Sequence, residues 1–95
     1  MKKTMKPFSN SEIEEALKKV NGWNYTEAKI QKKYQFKDFS EALSFLIRVG
    51  ILAEKQNHHP EIWNVYNKVT LSLNTHDANG ITEKDFILAE SIDKL

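Results

Sequence analysis

The sequence predicts an α+β fold in a single domain, residues 1–95, with the element order α-β-β-α-β-β-α. Three segments carry apolar residues at helical spacing, and the segments between them alternate apolar and polar residues in two adjacent runs. Adjacent runs of this kind form antiparallel hairpins. We therefore expect a four-stranded antiparallel sheet with three helices packed on one of its faces.

The first and last helices are marked by their capping patterns. Ser9 and Glu12 form a capping box, and Asn21-Gly22 is a C-terminal stop, so the first helix is predicted at about Ser9–Val20. The last helix is predicted to start at Thr82-Glu83-Lys84-Asp85. The apolar positions are Ile13, Ala16, Leu17 and Val20 in the first helix, and Leu88, Ala89, Ile92 and Leu95 in the last.

The longest helix lies between these two. Asp38 and Ser40 are its N-cap candidates, and Pro60 disfavours the α conformation at His59, so the helix must stop near Asn57 or His58. Its apolar stripe is broad for a helix that covers one small sheet, and a glycine within it suggests close backbone packing. The stripe contains Phe39, Ala42, Leu43, Leu46, Val49, Gly50 and Ala53, and it is widened by Phe45 and Leu52.

Four strands are predicted from period-2 patterns. The first begins at Trp23 and Tyr25, and a turn near Thr26–Lys29 leads into the second, which has Lys32 as its one misfit. The second run reads Ala28, Ile30, Lys32, Tyr34 and Phe36. Strands 3 and 4 cover Ile62–Tyr66 and Val69–Leu73 and join around Asn67. We interpret Trp23, Tyr34, Phe36, Phe39 and Phe45 as packing residues.

Composition narrows the possible partners and location. Fourteen Lys and Arg against thirteen Asp and Glu give a net charge of +1, which favours no direct nucleic-acid partner. The lysines of strand 2 are most simply a solvated face, because no exposed aromatic residue is interleaved with them. The absence of cysteine excludes disulfides and thiolate chemistry. No apolar run suits a membrane span or a signal peptide, so we expect a cytoplasmic protein with a flexible tail at residues 1–7.

All three histidines, His58, His59 and His76, fall at predicted element ends, where a scaffold commonly presents reactive groups. Imidazole titrates near pH 6.5 and can therefore donate or accept a proton under physiological conditions. Glu54 stands four residues before His58, which would place both on one helix face. Two other interpretations stay open at this point. The histidines could be solvated caps, or Glu54, His58 and His76 could hold a metal ion.

Four linked motifs run through the second half of the chain, at Glu54–Pro60, Asn64–Val69, Thr75–Asp77 and Gly80–Asp85. In this combination the sequence resembles the pterin-4a-carbinolamine dehydratases. It departs from the family in having Ile62 where a Trp is frequent and Asn57 where some relatives have Asp. The resemblance implies a cofactor-independent lyase without a metal. It would dehydrate 4a-hydroxytetrahydropterin, a small-molecule pterin substrate, to quinonoid dihydropterin in tetrahydrobiopterin recycling.

The resemblance also implies roles for individual residues. His58 and His76 would be the acids that face the hydroxyl group, while His59 would chiefly hold the pterin and could serve as base. Glu54 would bind the guanidine-like edge of the pterin. The remaining substrate-binding positions implied are Pro60, Thr75, Asp77 and Ala78.

Association is implied in two forms. The family forms homodimers through sheet edges and, in some members, homotetramers through the long helices, which agrees with the broad apolar stripe predicted here. Animal members also act as dimerisation cofactors of a transcription factor. An interaction protein without essential catalysis is therefore the alternative to the enzyme.

Overall fold

The computed structural model describes residues 6–95 and confirms the predicted α+β fold and element order. Of the flexible tail predicted at residues 1–7, positions 1–5 lie outside the described residues. A short 3₁₀ turn, His76–Ala78, follows the last strand. The main elements are α1 (Asn10–Leu17), β1 (Asn24–Thr26), β2 (Lys29–Gln35), α2 (Phe39–Gln56), β3 (Glu61–Val65), β4 (Lys68–Leu73) and α3 (Glu83–Asp93).

The four strands form one antiparallel sheet in the order β1-β2-β4-β3. The register places Ile30 opposite Leu73 and Tyr34 opposite Val69, so these side chains share one face. Ile30, Val69 and Leu73 have no exposed surface, and they join buried residues of the three helices in a single core. The helices therefore cover one face of the sheet, as predicted.

The hairpin between β1 and β2 turns at residues 26–29, where the turn was predicted, and Thr26 pairs with Lys29 across it. Glu27 and Ala28 both have positive φ, 49° and 62°, as the two central residues of a type I′ turn do. Ala28 was predicted as the first apolar position of strand 2, but it lies in this turn and is exposed. The right-handed twist of the paired strands favours this turn although neither residue is Gly or Asn.

Near the start of the sheet, α1 ends earlier than predicted, at Leu17 rather than Val20. The next residues form i→i−3 hydrogen bonds, from Lys19 N to Ala16 O at 3.0 Å and from Val20 N to Leu17 O at 3.4 Å. These bonds form a tighter turn than an α-helix has. Val20 nevertheless packs against the core.

The misfit Lys32 on the core face has a partner. The Asp93 carboxylate at the end of α3 accepts hydrogen bonds from Lys32 Nζ at 3.1 Å, from Trp23 Nε1 at 3.0 Å and from Asn21 N at 2.8 Å. These contacts fasten α3 to β2 and to the segment before β1. Trp23 is thus a buried core residue that precedes β1, which begins at Asn24.

The helix α2 leaves part of its apolar stripe uncovered, as expected from the breadth of the stripe, but the interpretation of Phe39 as a packing residue is wrong. Ala42, Val49 and Ala53 are buried, whereas Phe39 and Leu43 are exposed together with Ile47 and Ile51. Spacing of four residues puts the exposed side chains in one row, which we call the α2 row (Phe39, Leu43, Ile47 and Ile51).

Two single-residue predictions on the helices are wrong. A Cβ added to Gly50 would meet no atom within 4 Å among the described residues, so close backbone packing within the chain does not explain this glycine. Leu95 lies beyond the end of α3 and is half exposed. No helix in residues 6–95 has the length and hydropathy needed to cross a bilayer.

Candidate active site

The end of α2 sets the directions of the first two histidines. Asn57 adopts the left-handed conformation, with φ 50° and ψ 43°, immediately after the last helical residue. Its N–H donates to Glu54 O at 3.2 Å and the N–H of His58 donates to Ala53 O at 3.0 Å, the pair of bonds that defines a Schellman motif. His58 and His59 therefore lie outside the helix, and their side chains diverge. The helix ends at Gln56, one residue before the stop near Asn57 or His58 that was predicted from Pro60.

His58 binds a buried carboxylate. Its Nε2 lies 2.6 Å from Oδ1 of Asp85, and only 11% of the His58 side chain is exposed while Asp85 is completely buried. The other carboxylate oxygen, Oδ2, accepts from Thr75 Oγ1 and from the backbone N–H of Thr82, both at 2.9 Å. The two threonine hydroxyls also share a hydrogen bond of 2.7 Å. Asp85 is thus fully paired despite its burial, as a buried charge must be.

The position of Asp85 follows from helix capping. Thr82 is the N-cap of α3 and Asp85 is its N3 residue, and together they form a capping box. A carboxylate in the first turn also benefits from the positive end of the helix dipole. The cap therefore fixes the carboxylate, which in turn fixes the imidazole of His58.

His59 forms a separate and exposed pair. Its Nε2 lies 3.1 Å from Oε1 of Glu54, and the two side chains are 62% and 84% exposed. The expectation that Glu54 and His58 share a helix face is wrong, because α2 ends at Gln56 and the left-handed Asn57 turns His58 away. The partner of Glu54 is His59 instead.

The third histidine lies across from this helix end, on the segment that follows β4. His76 is the first residue of the 3₁₀ turn and is exposed. An isolated bridge between Thr75 and Gly80 closes the loop, with Thr75 N donating to Gly80 O at 2.8 Å. The closed loop therefore presents the exposed His76 next to the buried Thr75.

These segments line one cavity of about 300 Å³ that is open to solvent, at the small end of the range for small-molecule sites. Five predicted site residues line it, and Glu54 lies next to it through its contact with His59. Pro60 and Ala78 were predicted as site residues but do not line this cavity. Ala78 is the buried last residue of the 3₁₀ turn. The lining residues are Asn57, His58, His59, Asn74, Thr75, His76, Asp77 and Lys84.

The metal interpretation finds no support in this geometry. Within residues 6–95, no three His, Asp or Glu side chains converge as metal ligands would, and Glu54 and His58 face different partners. The reasoning from sequence also missed Asn57, Asn74, Lys84 and Asp85. For Asp85 a signal existed, since it occupies the capping position after Thr82, but total burial against His58 depends on the tertiary fold.

Comparisons with known proteins identify the family of this chain. The family model described as pterin 4 alpha carbinolamine dehydratase matches residues 6–95. A protein of Christiangramia forsetii named "Putative pterin-4-alpha-carbinolamine dehydratase" is 45% identical over 91 residues, which cover 96% of this chain and 94% of that protein. A protein of the same name from Sulfurisphaera tokodaii is 46% identical over 91 residues, covering 96% and 98%.

Two solved structures are similar as well. A transcriptional coactivator/pterin dehydratase from Brucella melitensis has a TM-score of 0.89 at 39% identity, with 93% of this chain and 96% of that chain covered. A pterin dehydratase-like RuBisCO assembly factor of the alpha-carboxysome has a TM-score of 0.62 at 19% identity, covering 76% and 83%, and this likeness concerns the fold alone. By the extent of the family match and the identity to its relatives, this chain belongs to the pterin-4-alpha-carbinolamine dehydratase family.

Proposed function

We propose that this protein is a hydro-lyase that converts 4a-hydroxytetrahydropterin to quinonoid dihydropterin and water in pterin recycling. In this reaction the C4a–O bond breaks, and the hydroxyl leaves as water after it receives a proton. The proton on N5 is lost, and its electron pair forms the C4a=N5 double bond. Both proton transfers are general acid–base steps, each accelerated roughly 10²–10⁴-fold by a positioned side chain.

One observation carries the proposal: three imidazoles line a single cavity, and their environments differ. His58 is nearly buried and held by a carboxylate, whereas His59, its neighbour after α2, and His76, on the segment after β4, are exposed. A substrate in the cavity would meet proton donors and acceptors on more than one side. Three histidines serving only as solvated caps would have no reason to converge in this way.

We assign proton delivery to His58 and His76. Asp85 occupies Nε2 of His58, so the opposite ring nitrogen, Nδ1, is the atom available for a substrate. His76 has no side-chain hydrogen bond within the described residues, and its imidazole is therefore available to substrate. Each could donate to the leaving hydroxyl.

We assign pterin binding mainly to His59 and Glu54. A carboxylate accepts two parallel N–H bonds, which matches the paired donors of the guanidine-like pterin edge. The exposed hydrogen-bonded pair of His59 and Glu54 can open at little cost, since even a charged pair at such a surface contributes at most about 1 kcal/mol. Thr75 and Asp77 would form the opposite wall. Pro60 and Ala78 would support the site from behind, Pro60 by holding His59 extended.

The test is a dehydration assay with 4a-hydroxytetrahydropterin generated in situ. Because the uncatalysed dehydration is itself facile, each rate is compared with a control without enzyme. We expect His58→Ala and His76→Ala each to lower kcat about 10-fold or more, and the double variant to approach the control. Near wild-type activity of a folded double variant would refute the mechanism. Activity that is lost on exhaustive chelation and restored by zinc would refute the metal-free reaction.

A second function, that of an interaction protein, is favoured by the α2 row, which exposes four large apolar side chains along one side of a helix. The enzyme and the interaction protein are separable, because the row lies outside the residues that line the histidine cavity. A chain that binds partners through α2 while lacking dehydratase activity would favour the second function over the first.

A further inference from the structure

The face of the sheet away from the helices carries an arrangement that the proposed dehydration does not use. Lys29 and Lys33 of β2 and Lys68 of β4 point to this face, because residues two apart on a strand share a side. Trp63 of the edge strand β3 lies on the same face and is 52% exposed. We call Lys33, Trp63, Lys68 and Thr70 the open-face cluster.

The strand register brings the cluster together. Trp63 pairs with Thr70 across β3 and β4, and Thr70 pairs with Lys33 across β4 and β2, so the three form one row. In the next row Val65 pairs with Lys68. Two shallow depressions of about 540 and 570 Å³ adjoin on this face, and both are lined by Lys33, Trp63 and Thr70.

The net charge of +1 conceals a local excess of positive charge on this face. Glu61 is the acidic residue here, and its carboxylate forms an ion pair of 2.9 Å with Lys29. Lys33 and Lys68 form no ion pair with any described residue. Two uncompensated ammonium groups therefore flank an exposed indole.

We propose that the open-face cluster binds a single-stranded polynucleotide. A base stacks on Trp63, the ammonium groups of Lys33 and Lys68 contact the flanking phosphates, and the Thr70 hydroxyl hydrogen-bonds a base edge. A single strand fits better than a duplex, because the bases of a duplex are stacked on one another and the sheet projects no element into a groove. The sequence argued against such a partner for want of an aromatic residue among the lysines, and Trp63 is that residue.

The test is a fluorescence titration of the full chain with oligo(dT) and oligo(rU), using the tryptophans as reporters. Trp23 is only 5% exposed, so saturable quenching reports on Trp63. We expect Trp63→Ala to weaken binding about 5- to 100-fold when binding is followed by a labelled oligonucleotide, and Trp63→Phe to weaken it less. Two phosphate contacts predict a slope of log K against log salt near −1.4.

Matched charge variants distinguish binding at the open-face cluster from nonspecific attraction to the protein's positive charge. The double variant Lys33→Glu, Lys68→Glu should abolish binding. The double variant Lys19→Glu, Lys94→Glu makes an equal change of charge just beyond the ends of α1 and α3, and it should leave the affinity within about 2-fold of wild type. Dehydratase activity should survive Trp63→Ala, so either proposal can fail without the other. Preference for oligo(rU) would indicate a contact to the 2′-hydroxyl, and equal binding of both would indicate stacking and phosphate contacts alone.

Several results would overturn the proposal. One is the absence of any binding at low salt. Another is an affinity for duplex DNA or heparin that equals the affinity for the single strand and that Trp63→Ala does not change. Protection of Trp63 from acrylamide in the free protein would overturn it as well, because it would mean that a second copy or another protein surface covers the face.

Discussion

Nε2 of His58 lies 2.6 Å from Oδ1 of Asp85, and the carboxylate has no exposed surface. Thr75 and the backbone of Thr82 donate to the other carboxylate oxygen, so the imidazole is oriented by a carboxylate that two further hydrogen bonds hold in place. A buried carboxylate in such a position fixes the tautomer and the orientation of a catalytic imidazole. In the proposed dehydration, Asp85 is a positioning residue that acts through His58.

The first prediction concerns Asp85→Asn. We expect kcat to fall about 10-fold or more with little change in KM, because an amide in place of the carboxylate favours the wrong tautomer of His58 while the cavity keeps its shape. Asp93→Asn is the matched control, since Asp93 lies on the same helix but binds Trp23 and Lys32 away from the cavity. The control should lower the midpoint of thermal unfolding and leave kcat unchanged. Equal loss of kcat in both variants would mean that Asp85 serves stability alone.

The contact between His58 and Asp85 could not be predicted from the sequence, although the elements around it could. The capping box at Thr82 is readable from sequence, and so are the helix end before Pro60 and the two hairpins, because each depends on neighbours within a few residues. The burial of Asp85 against His58 depends on how α3 packs across the end of α2, and the two residues are 27 positions apart in the sequence. Local periodicity carries no such information.

The same limit explains the misassigned residues. Lys32 breaks the alternation of β2. Its partner Asp93 is distant in the sequence, so only the tertiary structure explains why a lysine is tolerated at that position. The i, i+4 spacing predicted that Glu54 lies on the same helix face as His58. Because Asn57 is left-handed, the helix ends before His58, and Glu54 pairs with His59 instead. The interpretation of Phe39 as a packing residue is wrong because Phe39 lies in the part of the stripe that one small sheet cannot cover.

The second prediction separates binding from chemistry at the exposed pair. His59→Ala and Glu54→Gln should each raise KM several-fold with kcat nearly unchanged, the pattern expected when ground-state binding is lost. Both side chains are mostly exposed, so neither change should shift the unfolding midpoint noticeably. Steady-state kinetics on the dehydration provide the measurement. A fall in kcat with constant KM for His59→Ala would instead make His59 an acid or base in the reaction.

The third prediction concerns the left-handed residue that separates the two histidines. Asn57→Ala should cost about 1 kcal/mol of unfolding free energy, because an alanine pays a steric penalty at φ 50°. Asn57→Gly should be neutral, since glycine adopts this conformation freely. Urea denaturation of both variants gives the comparison. Equal destabilisation by Ala and Gly would show that the Asn57 side chain, and not the backbone conformation, is what the Schellman motif needs.

The fourth prediction is self-association, as a homodimer or homotetramer. The α2 row leaves large apolar side chains in water, and Gly50 lies beside it with open space where a Cβ would be. If a second copy packs there, Ile47→Glu should lower the oligomeric mass measured by light scattering, and Gly50→Ala should weaken the assembly. If nothing packs there, Gly50→Ala should add about 1 kcal/mol of helix stability. A wild-type mass of 11.1 kDa at micromolar concentration would exclude association.

The last prediction concerns alkaline pH. Burial raises the pKa of Tyr34, and the negative charge of Asp93 raises it further. The Tyr34 hydroxyl is buried without a hydrogen-bond partner among the described residues, although its ring packs against Phe36 and Phe45. Removing an unpaired hydroxyl while keeping the ring should therefore stabilise the protein, so Tyr34→Phe is expected to gain about 1 kcal/mol at pH 7.

The sign of the pH effect follows from the raised pKa. Below pH 10 the tyrosine is neutral in both states and contributes no pH dependence. Above pH 10 the unfolded chain ionises while the folded chain does not, so this group lowers the stability of the wild type as pH rises toward the folded pKa. Tyr34→Phe lacks this loss, and the difference in unfolding free energy between the two proteins should widen from pH 9 to pH 11. A constant difference over that range, measured by urea denaturation, would mean that Tyr34 ionises as readily in the folded chain as in the unfolded one.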